Sequence, residues 1–402
     1  MDLKMTSKQR MLTAFRNEQP DMVPVSPDIS NMVPCRLTGK PFWDIYLYND
    51  PPLWVAYINA VKYYGFDGWS DKGFLGSRES AYGRSPEYRE TEIPKFQHKI
   101  EVIEKTRRYI IVRDVFETPR GVLWSETVYY RDNPPWTKRK LVKNPERDFD
   151  ILFEYILPDP ANLPGDAYWE IANAMGDLGI TGLGVPLPGL HDLFYYVDGG
   201  YSNVIKLYYT MKDLIEEYRR RMHEWVVAYT EKGLRIQPEF ILIGASGLLT
   251  MQSPRIFREL SLPTLKKITE MCREADIISH LHACGREHYI VEVAANETDL
   301  YSIEPLEEPP NGDCNLADIK RRFGRRLALK GNIQTSWLLM AKPEEVEEKA
   351  KWCIDVAGEN GGYVLSTGDQ VGRDTPDENI FAMIRAARNH GKYPLKKFSI
   401  QK

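Results

Sequence analysis

The second half of the chain alternates short apolar runs with longer amphipathic stretches. Short apolar runs are typical of buried strands, and apolar positions spaced three and four apart are typical of helices. The predicted strands span residues 179–185, 238–244, 277–284, 299–303, 326–331 and 362–366. The predicted helices span residues 254–275, 287–296, 316–323, 343–357 and 376–389. Strands and helices that alternate in this way indicate parallel β/α units.

The number of consecutive units distinguishes between two α/β architectures. Five units follow one another, and no glycine-rich dinucleotide-binding turn follows any of the strands. This pattern favours a (β/α)8 TIM barrel over an open doubly wound sheet. Residues 7–17 and 23–27 predict that the first helix and the first barrel strand lie near the start of the chain.

The first half of the chain then departs from the β/α pattern. Residues 100–131 are rich in Val, Ile, Tyr, Thr and Trp and are broken at 118–121, which predicts an antiparallel β-hairpin. We expect one barrel domain over residues 1–402, with an inserted β-rich and aromatic lid segment at 75–150. The tryptophans of this half favour core packing of the insertion over an aromatic wall above a flat, apolar substrate.

Charge and composition exclude several classes of function. The chain has 53 Lys+Arg against 57 Asp+Glu, so no net field recruits nucleic acid or anionic lipid. The first twenty residues are charged throughout, and the chain holds no long apolar span. We therefore expect a cytoplasmic protein without nucleic-acid or membrane partners. Five scattered cysteines indicate reduced thiols, so a thiolate ligand is available.

His282 and Cys284 are two soft metal ligands separated by one residue. In a strand, the period of two places both side chains on one face, near enough to share an ion. An imidazole with a thiolate favours zinc over magnesium or calcium. The alternative is structural, because free cysteine is often buried and a histidine at a strand end is often a core group. For His280, nearby in the same run, we favour a core role over ligation.

Barrel chemistry is expected at the carboxyl ends of the strands. The polar residues that follow the predicted strands are Asp28, Ser30, His191, Ser246, Glu304, Asn332 and Asp369. Asp28, Glu304 and Asn332 are candidate catalytic residues, and Ser30, His191 and Ser246 are candidate substrate contacts. Glu304 is also placed to accept the ring proton of a ligating histidine.

Asp369 is the candidate third metal ligand, because a barrel brings strand eight to the same mouth as strand five. One nitrogen, one sulfur and one oxygen ligand would leave a fourth position open, as in a catalytic zinc site. Cys314 is the rival third ligand, although it follows a long acidic loop.

Several motifs in the same order resemble the uroporphyrinogen decarboxylase superfamily. They lie at residues 8–10, 19–25, 253–263, 282–285, 316–332 and 361–379. True uroporphyrinogen decarboxylases carry an arginine-rich segment after strand one and a histidine at the end of strand eight. Here the first segment holds only Arg36, and Asp369 stands in the second position. A multiply charged tetrapyrrole needs several fixed cations, so both departures disfavour porphyrin decarboxylation.

The chain more closely resembles the zinc- and corrinoid-dependent methyltransferases of that superfamily. This resemblance implies zinc at His282 and Cys284, with Asp369 where a cysteine is usual. The expected partners are a corrinoid-binding protein and a small-molecule methyl donor, and a homodimer is one option for the assembly. A carboxylate ligand leaves zinc more electrophilic than a second thiolate, which suits an O-methyl donor such as a methoxylated aromatic compound.

Two alternatives remain open at the level of sequence. One is a cofactor-free carboxy-lyase that uses Asp369, Asp28 and Arg36 on a carboxylated substrate. The other is a non-catalytic member of the superfamily that holds a tetrapyrrole or a corrinoid in the barrel mouth.

Overall fold

The computed structural model describes residues 4–83, 90–93 and 96–395 of the chain. The strands are β1 Gly68–Gly73, β2 Glu90–Ile93, β3 Phe96–Lys105, β4 Tyr109–Thr118, β5 Gly121–Tyr130, β6 Trp136–Arg139, β7 Gly179–Pro186, β8 Phe240–Gly244, β9 Ile278–His282, β10 Ser302–Glu304, β11 Ala328–Ile333 and β12 Tyr363–Thr367. The helices are α1 Ser7–Phe15, α2 Met32–Leu37, α3 Phe42–Tyr46, α4 Leu53–Tyr64, α5 Pro145–Ile151, α6 Asp166–Met175, α7 Leu190–Tyr196, α8 Gly200–Thr210, α9 Lys212–Arg235, α10 Leu248–Met251, α11 Pro254–Leu260, α12 Leu262–Glu274, α13 His288–Glu297, α14 Leu316–Phe323, α15 Thr335–Met340, α16 Pro343–Ala357 and α17 Asp377–His390.

Seven strands form one parallel sheet in the order β1-β7-β8-β9-β10-β11-β12. The connecting helices pack against the outside of this sheet and cover the apolar side chains that its strands present there. The mixed α/β architecture is TIM-like, as the alternating pattern predicts. Since all seven strands run in the same direction, their carboxyl ends meet at one edge and position the site there.

The segment at 22–26 contains isolated bridges where a strand at 23–27 is predicted. Val25 forms a parallel bridge with Leu365 of β12, and its carbonyl accepts a hydrogen bond of 2.8 Å from the backbone of Asp67, next to β1. The segment therefore lies between the first and last strands of the parallel sheet. The described residues define seven barrel strands, and an eight-stranded closed barrel stays a prediction.

The element boundaries correct the sequence prediction at three places. The predicted strand 277–284 ends at His282, so Cys284 lies in the loop beyond it. The predicted helix 254–275 is two helices, because Pro263 has no N–H to continue the hydrogen-bond ladder. The strand predicted at 326–331 extends to Ile333, which places Asn332 within β11.

A second, antiparallel sheet has the order β2-β3-β4-β5-β6. Its β4 and β5 form the predicted hairpin, with Thr118 paired to Gly121 across the turn. The hairpin is thus part of a larger sheet. The chain that leaves this sheet returns to the barrel, where Val142 forms a parallel bridge with Val197 directly after α7. Among the described helices, none combines the length and the apolar character that a membrane crossing requires.

Asp67 is a fully buried carboxylate that joins several elements of the barrel. It accepts hydrogen bonds from the side chains of Ser7 and Arg10 at 2.7 Å each and from the backbone of Val25 at 2.9 Å. Arg388 of α17 donates a further hydrogen bond at 3.2 Å. Because buried charges need partners, this network holds the first helix and the last helix together at the seam of the sheet.

We expect Arg10→Met to lower the free energy of unfolding by about 3 kcal/mol, because it removes an ion-pair partner from the buried carboxylate of Asp67 and from the partly buried carboxylate of Asp21. Urea denaturation followed by far-ultraviolet circular dichroism measures the change. Arg220→Met is the control, since Arg220 makes only exposed ion pairs along α9 and its loss should change nothing measurable. Equal stability of the two variants would contradict the structural role of the network.

Candidate metal centre and substrate cavity

His282, Cys284 and Asp369 lie together at the carboxyl edge of the parallel sheet. Each offers one ligand atom, and these three atoms all lie within 4.8 Å of one another. Zinc bonds of about 2.0–2.3 Å separate tetrahedral ligand atoms by roughly 3.3–3.8 Å. The cluster therefore needs only a small inward adjustment to hold one ion, and its donor set of nitrogen, sulfur and oxygen is one that zinc accepts.

Glu304 orients the histidine of this cluster. The Nδ1 atom of His282 lies 3.0 Å from Oε1 of Glu304, so the ring donates a proton to that carboxylate and its Nε2 atom is left for a metal. The Nζ atom of Lys330 donates to the other oxygen of Glu304 inside the barrel. Burial would raise the pKa of Glu304, but Lys330 and the neighbouring histidines hold it well below its usual range.

The histidine and the thiol of the cluster act on each other. Burial would lower the pKa of His282, but its hydrogen bonds with Cys284 and Glu304 raise it well above the usual value. Burial raises the pKa of the Cys284 thiol, although His282 opposes this. A neutral imidazole and a thiolate are the forms that bind metal, so a cation at the cluster would displace both protons.

Asp369 has an unusual backbone conformation for a residue other than glycine, with a φ of 105°. The hydroxyl of Thr367 donates to the carbonyl of Asp369 at 2.8 Å and accepts from the backbone N–H of Asp28 at 2.9 Å. Strained backbone of this kind costs about 1–3 kcal/mol and is concentrated at functional sites. The turn after β12 thus brings Asp369 towards the cluster and ties it to the loop that carries Asp28.

A cavity of about 410 Å³ opens next to this cluster. Its lining residues are Asp28, Ser30, Trp69, Asp71, Gly184, Val185, Pro186, His191, Asp192, Tyr195, Tyr196, Leu242, Gly244, Ser246, His282 and Gln370. The cavity therefore includes the three predicted substrate contacts, one predicted catalytic carboxylate and one predicted metal ligand. Burial raises the pKa of Asp28, although Lys330 opposes this.

The other sequence candidates lie away from the cavity wall. Asn332 is buried, and its side-chain amide donates to the carbonyl of Leu306 at 2.9 Å. Cys314 is also buried and does not belong to the ligand cluster. His280 stacks on Phe15 with ring centroids 4.5 Å apart, and its Nδ1 atom lies 2.7 Å from the hydroxyl of Ser302, which fits the core role. Catalytic participation of Asn332 stays a prediction.

The aromatic residues of the cavity come from the barrel itself. Trp69 lies on β1, and Tyr195 and Tyr196 lie on α7, whereas none of the described residues of the predicted insertion lines the cavity. Trp124 of the insertion lies beside Lys143, whose Nζ atom is 3.8 Å from the ring centroid. A lid role for the insertion therefore stays a prediction.

Sequence reasoning missed Asp192, Tyr195 and Tyr196, which share a helix with the candidate His191. Their spacing of three and four residues was a usable signal once α7 was recognised, because it places them on one helix face. Trp69 offered no such signal, since the strand that carries it was not predicted.

The cavity wall is poor in cations. Among the described residues that line it, none is Lys or Arg. The guanidinium of Arg36 instead pairs with Asp377 and donates to the hydroxyl of Tyr64 at 3.2 Å. A substrate with several carboxylates would therefore meet carboxylates and aromatic rings here, without the fixed cations that its desolvation requires.

A family model, curated relatives and a solved structure are similar to this chain. The model of the family described as "Uroporphyrinogen decarboxylase (URO-D)" matches residues 191–390. A uroporphyrinogen decarboxylase from Aromatoleum aromaticum is 26% identical over 268 residues, which are 62% of this chain and 70% of that protein. One from Erwinia tasmaniensis is 24% identical over 286 residues, which are 67% of this chain and 72% of that protein. A methyltransferase from Methanosarcina mazei has a similar structure, with a TM-score of 0.61 and 19% identity over 96% of this chain and 99% of that one.

The ionisation of His191 gives a prediction about stability. Burial lowers its pKa to about 4, whereas in the unfolded chain the group titrates near 6.5. As the pH falls from 7 to 5, the unfolded chain gains this proton and the folded chain does not, so the wild type loses ~2 kcal/mol of stability through His191.

Between pH 7 and pH 5, we expect the free energy of unfolding of His191→Gln to fall by ~2 kcal/mol less than that of the wild type, because glutamine does not titrate. Urea denaturation of both proteins at pH 7 and pH 5 measures it, and the contributions of the other groups cancel in the comparison. An identical pH dependence in the two proteins would show that His191 is not buried in its neutral form.

Proposed function

We propose that this chain, which belongs to the uroporphyrinogen decarboxylase superfamily, is a methyltransferase that takes a methyl group from a small O-methyl compound at a zinc site and passes it to a corrinoid protein. The observation that carries the proposal is the cluster of His282, Cys284 and Asp369, whose ligand atoms lie within 4.8 Å of one another beside a cavity. Three protein ligands leave a fourth position for substrate, as catalytic zinc requires.

The chemistry of the ligands supports an oxygen-bound methyl group. A zinc ion bound there supplies Lewis acidity, which polarises an ether oxygen so that it can leave. His282 offers Nε2, because Glu304 holds the proton on Nδ1. A carboxylate from Asp369 donates less electron density than a second thiolate would, so the site favours a hard oxygen leaving group over a thiol.

Asp28 is the group placed to assist the leaving oxygen. Its carboxyl lines the cavity, and one oxygen, Oδ1, accepts a hydrogen bond from the backbone of Ser30 at 3.1 Å. Because burial raises the pKa of this carboxyl, Oδ2 can hold a proton for the reaction. The bond between the methyl carbon and the oxygen breaks, the oxygen keeps the electron pair, and Asp28 gives it the proton. A reduced corrinoid on the partner protein would supply the electron pair of the new bond and accept the methyl carbon.

The carboxy-lyase alternative has less support. It requires Arg36 to bind a substrate carboxylate, but Arg36 is paired with Asp377 outside the cavity wall. The cavity is lined by the carboxylates Asp28, Asp71 and Asp192 and by no Lys or Arg. The chain thus shares its superfamily with decarboxylases but lacks their means of holding a polycarboxylate.

Zinc content tests the metal half of the proposal. We expect purified wild type to hold one zinc ion per chain, and we expect His282→Ala and Cys284→Ala to lose it, because two remaining ligands bind too weakly. Cys314→Ala is the matched control, since this buried thiol lies outside the cluster and its loss should leave zinc in place. Inductively coupled plasma mass spectrometry gives the metal content of each variant.

Methyl transfer tests the other half. The zinc-loaded protein, a methoxylated benzene and cob(I)alamin should produce methylcobalamin, which is followed by its absorbance. The same reaction should fail in the two variants that lose zinc and proceed in Cys314→Ala. A metal-free wild type with full activity would refute the zinc mechanism, and zinc without methyl transfer to the corrinoid would favour a non-catalytic binding role.

Exchange of the third ligand tests why a carboxylate stands there. We expect Asp369→Cys to keep zinc and to lower the rate of O-demethylation by about tenfold, which is ~1.4 kcal/mol in the barrier, because a second thiolate makes the metal less electrophilic. Asp369→Ala should lose zinc altogether. If Asp369→Cys reacts as fast as the wild type, the hardness of the third ligand does not determine the rate of O-demethylation.

A further inference from the structure

The side of α7 that borders the cavity carries one buried carboxylate, one partly buried ring and one ring, that of Tyr195, which is 63% exposed. Asp192, Tyr195 and Tyr196 are spaced three and four residues apart, and all three line the cavity. Trp69 of β1 lines the same cavity. A carboxylate among aromatic rings is the arrangement that proteins use to bind small organic cations, which the ring faces attract.

Asp192 has no cationic partner in the cavity wall. Its side chain is 5% exposed, and its Oδ2 atom accepts a hydrogen bond from the hydroxyl of Tyr218, which leaves Oδ1 for a ligand. The nearby carboxylate of Asp71 is different, because it pairs with Lys72 at 2.9 Å. Burial without a counter-charge raises the pKa of Asp192 to about 7, which shows the cost of an isolated carboxylate at this point.

The other charged groups of the site do not neutralise the carboxylate of Asp192. A zinc ion at the cluster would be balanced by the thiolate of Cys284 and the carboxylate of Asp369. The buried carboxylate of Glu304 is balanced by Lys330. Asp28 of the same wall is buried too, but the charge of Lys330 acts on it, whereas no cation among the described residues acts on Asp192. Asp192 is therefore the carboxylate of the described cavity wall that a bound cation would stabilise most.

We propose that the substrate is an organic cation, whose ammonium group lies against Asp192 and the rings of Tyr195, Tyr196 and Trp69. That this cation is the methyl donor rests on the proposed methyltransferase function, whereas cation binding itself does not. The ammonium group occupies the α7 side of the cavity, and the methyl ether lies at the metal cluster. A cavity of about 410 Å³ is of the size that small-molecule sites have.

Binding of a cation and its neutral isostere tests the proposal. Choline and 3,3-dimethylbutan-1-ol have the same shape and differ in charge. We expect the purified full chain to bind choline at least about tenfold more tightly than its isostere in isothermal titration calorimetry, because the ring faces and the carboxylate act only on the charge. Equal affinity for the two probes would overturn the proposal.

Variants of the α7 face identify the groups responsible. Asp192→Asn should lower the preference for choline severalfold, because only the ring faces then act on the charge, whereas Asp177→Asn, the same change at an exposed position outside the cavity, should leave it unchanged. Tyr196→Leu should lower the preference and Tyr196→Phe should restore it, since only the ring is needed. Far-ultraviolet circular dichroism of every variant reports whether the chain has folded. A preference for choline that is as large in Asp192→Asn as in the wild type would place the cation elsewhere and overturn the assignment.

The same preparations separate this inference from the proposed function. If methoxybenzene is demethylated but choline has no advantage over its isostere, the methyltransferase stands and the cation site is wrong. If choline binds through Asp192 but neither zinc nor methyl transfer is found, the cation site stands and the methyltransferase is wrong.

Discussion

The ion pair between Glu304 and Lys330 is the interaction on which the geometry of the site depends. Both side chains are buried inside the parallel sheet, where an unpaired charge is prohibitively costly. Once paired, Glu304 stays a carboxylate and fixes the ring of His282, while the Nζ atom of Lys330 lies 4.2 Å from the ring centroid of Trp69. The ion pair thus positions both the metal ligand His282 and the cavity residue Trp69 from inside the barrel.

Two groups of side chains with different chemistry meet at this mouth. His282, Cys284 and Asp369 offer ligand atoms for a soft or borderline metal. Beside them, α7 contributes Asp192 and two tyrosines to the wall of the adjoining cavity. The two groups are built from different elements, so the part of a substrate that reacts and the part that is recognised need not be the same.

The periodic pattern of the sequence predicted the features of the fold that depend on local chain structure. The β/α alternation, the hairpin turn at Thr118 and the closeness of His282 to Asp369 all follow from strand ends that share one edge. The sequence could not show that Lys330 neutralises Glu304, because that contact joins two strands whose registers are set by the whole sheet. It also could not place Trp69 in the cavity, since β1 has small and polar residues that give little strand signal.

The bridge between Val142 and Val197 connects the antiparallel sheet to the end of α7 and supports that helix. The backbone of Val142 donates to the carbonyl of Tyr196 at 2.9 Å, so the chain leaving that sheet is fastened to the helix that lines the cavity. The family model matches from residue 191 onward, so it includes the metal cluster and excludes the antiparallel sheet. Substitutions in the antiparallel sheet can therefore shift α7 and change the width of the cavity while His282, Cys284 and Asp369 keep their positions. Substrate selectivity can then evolve independently of the reaction.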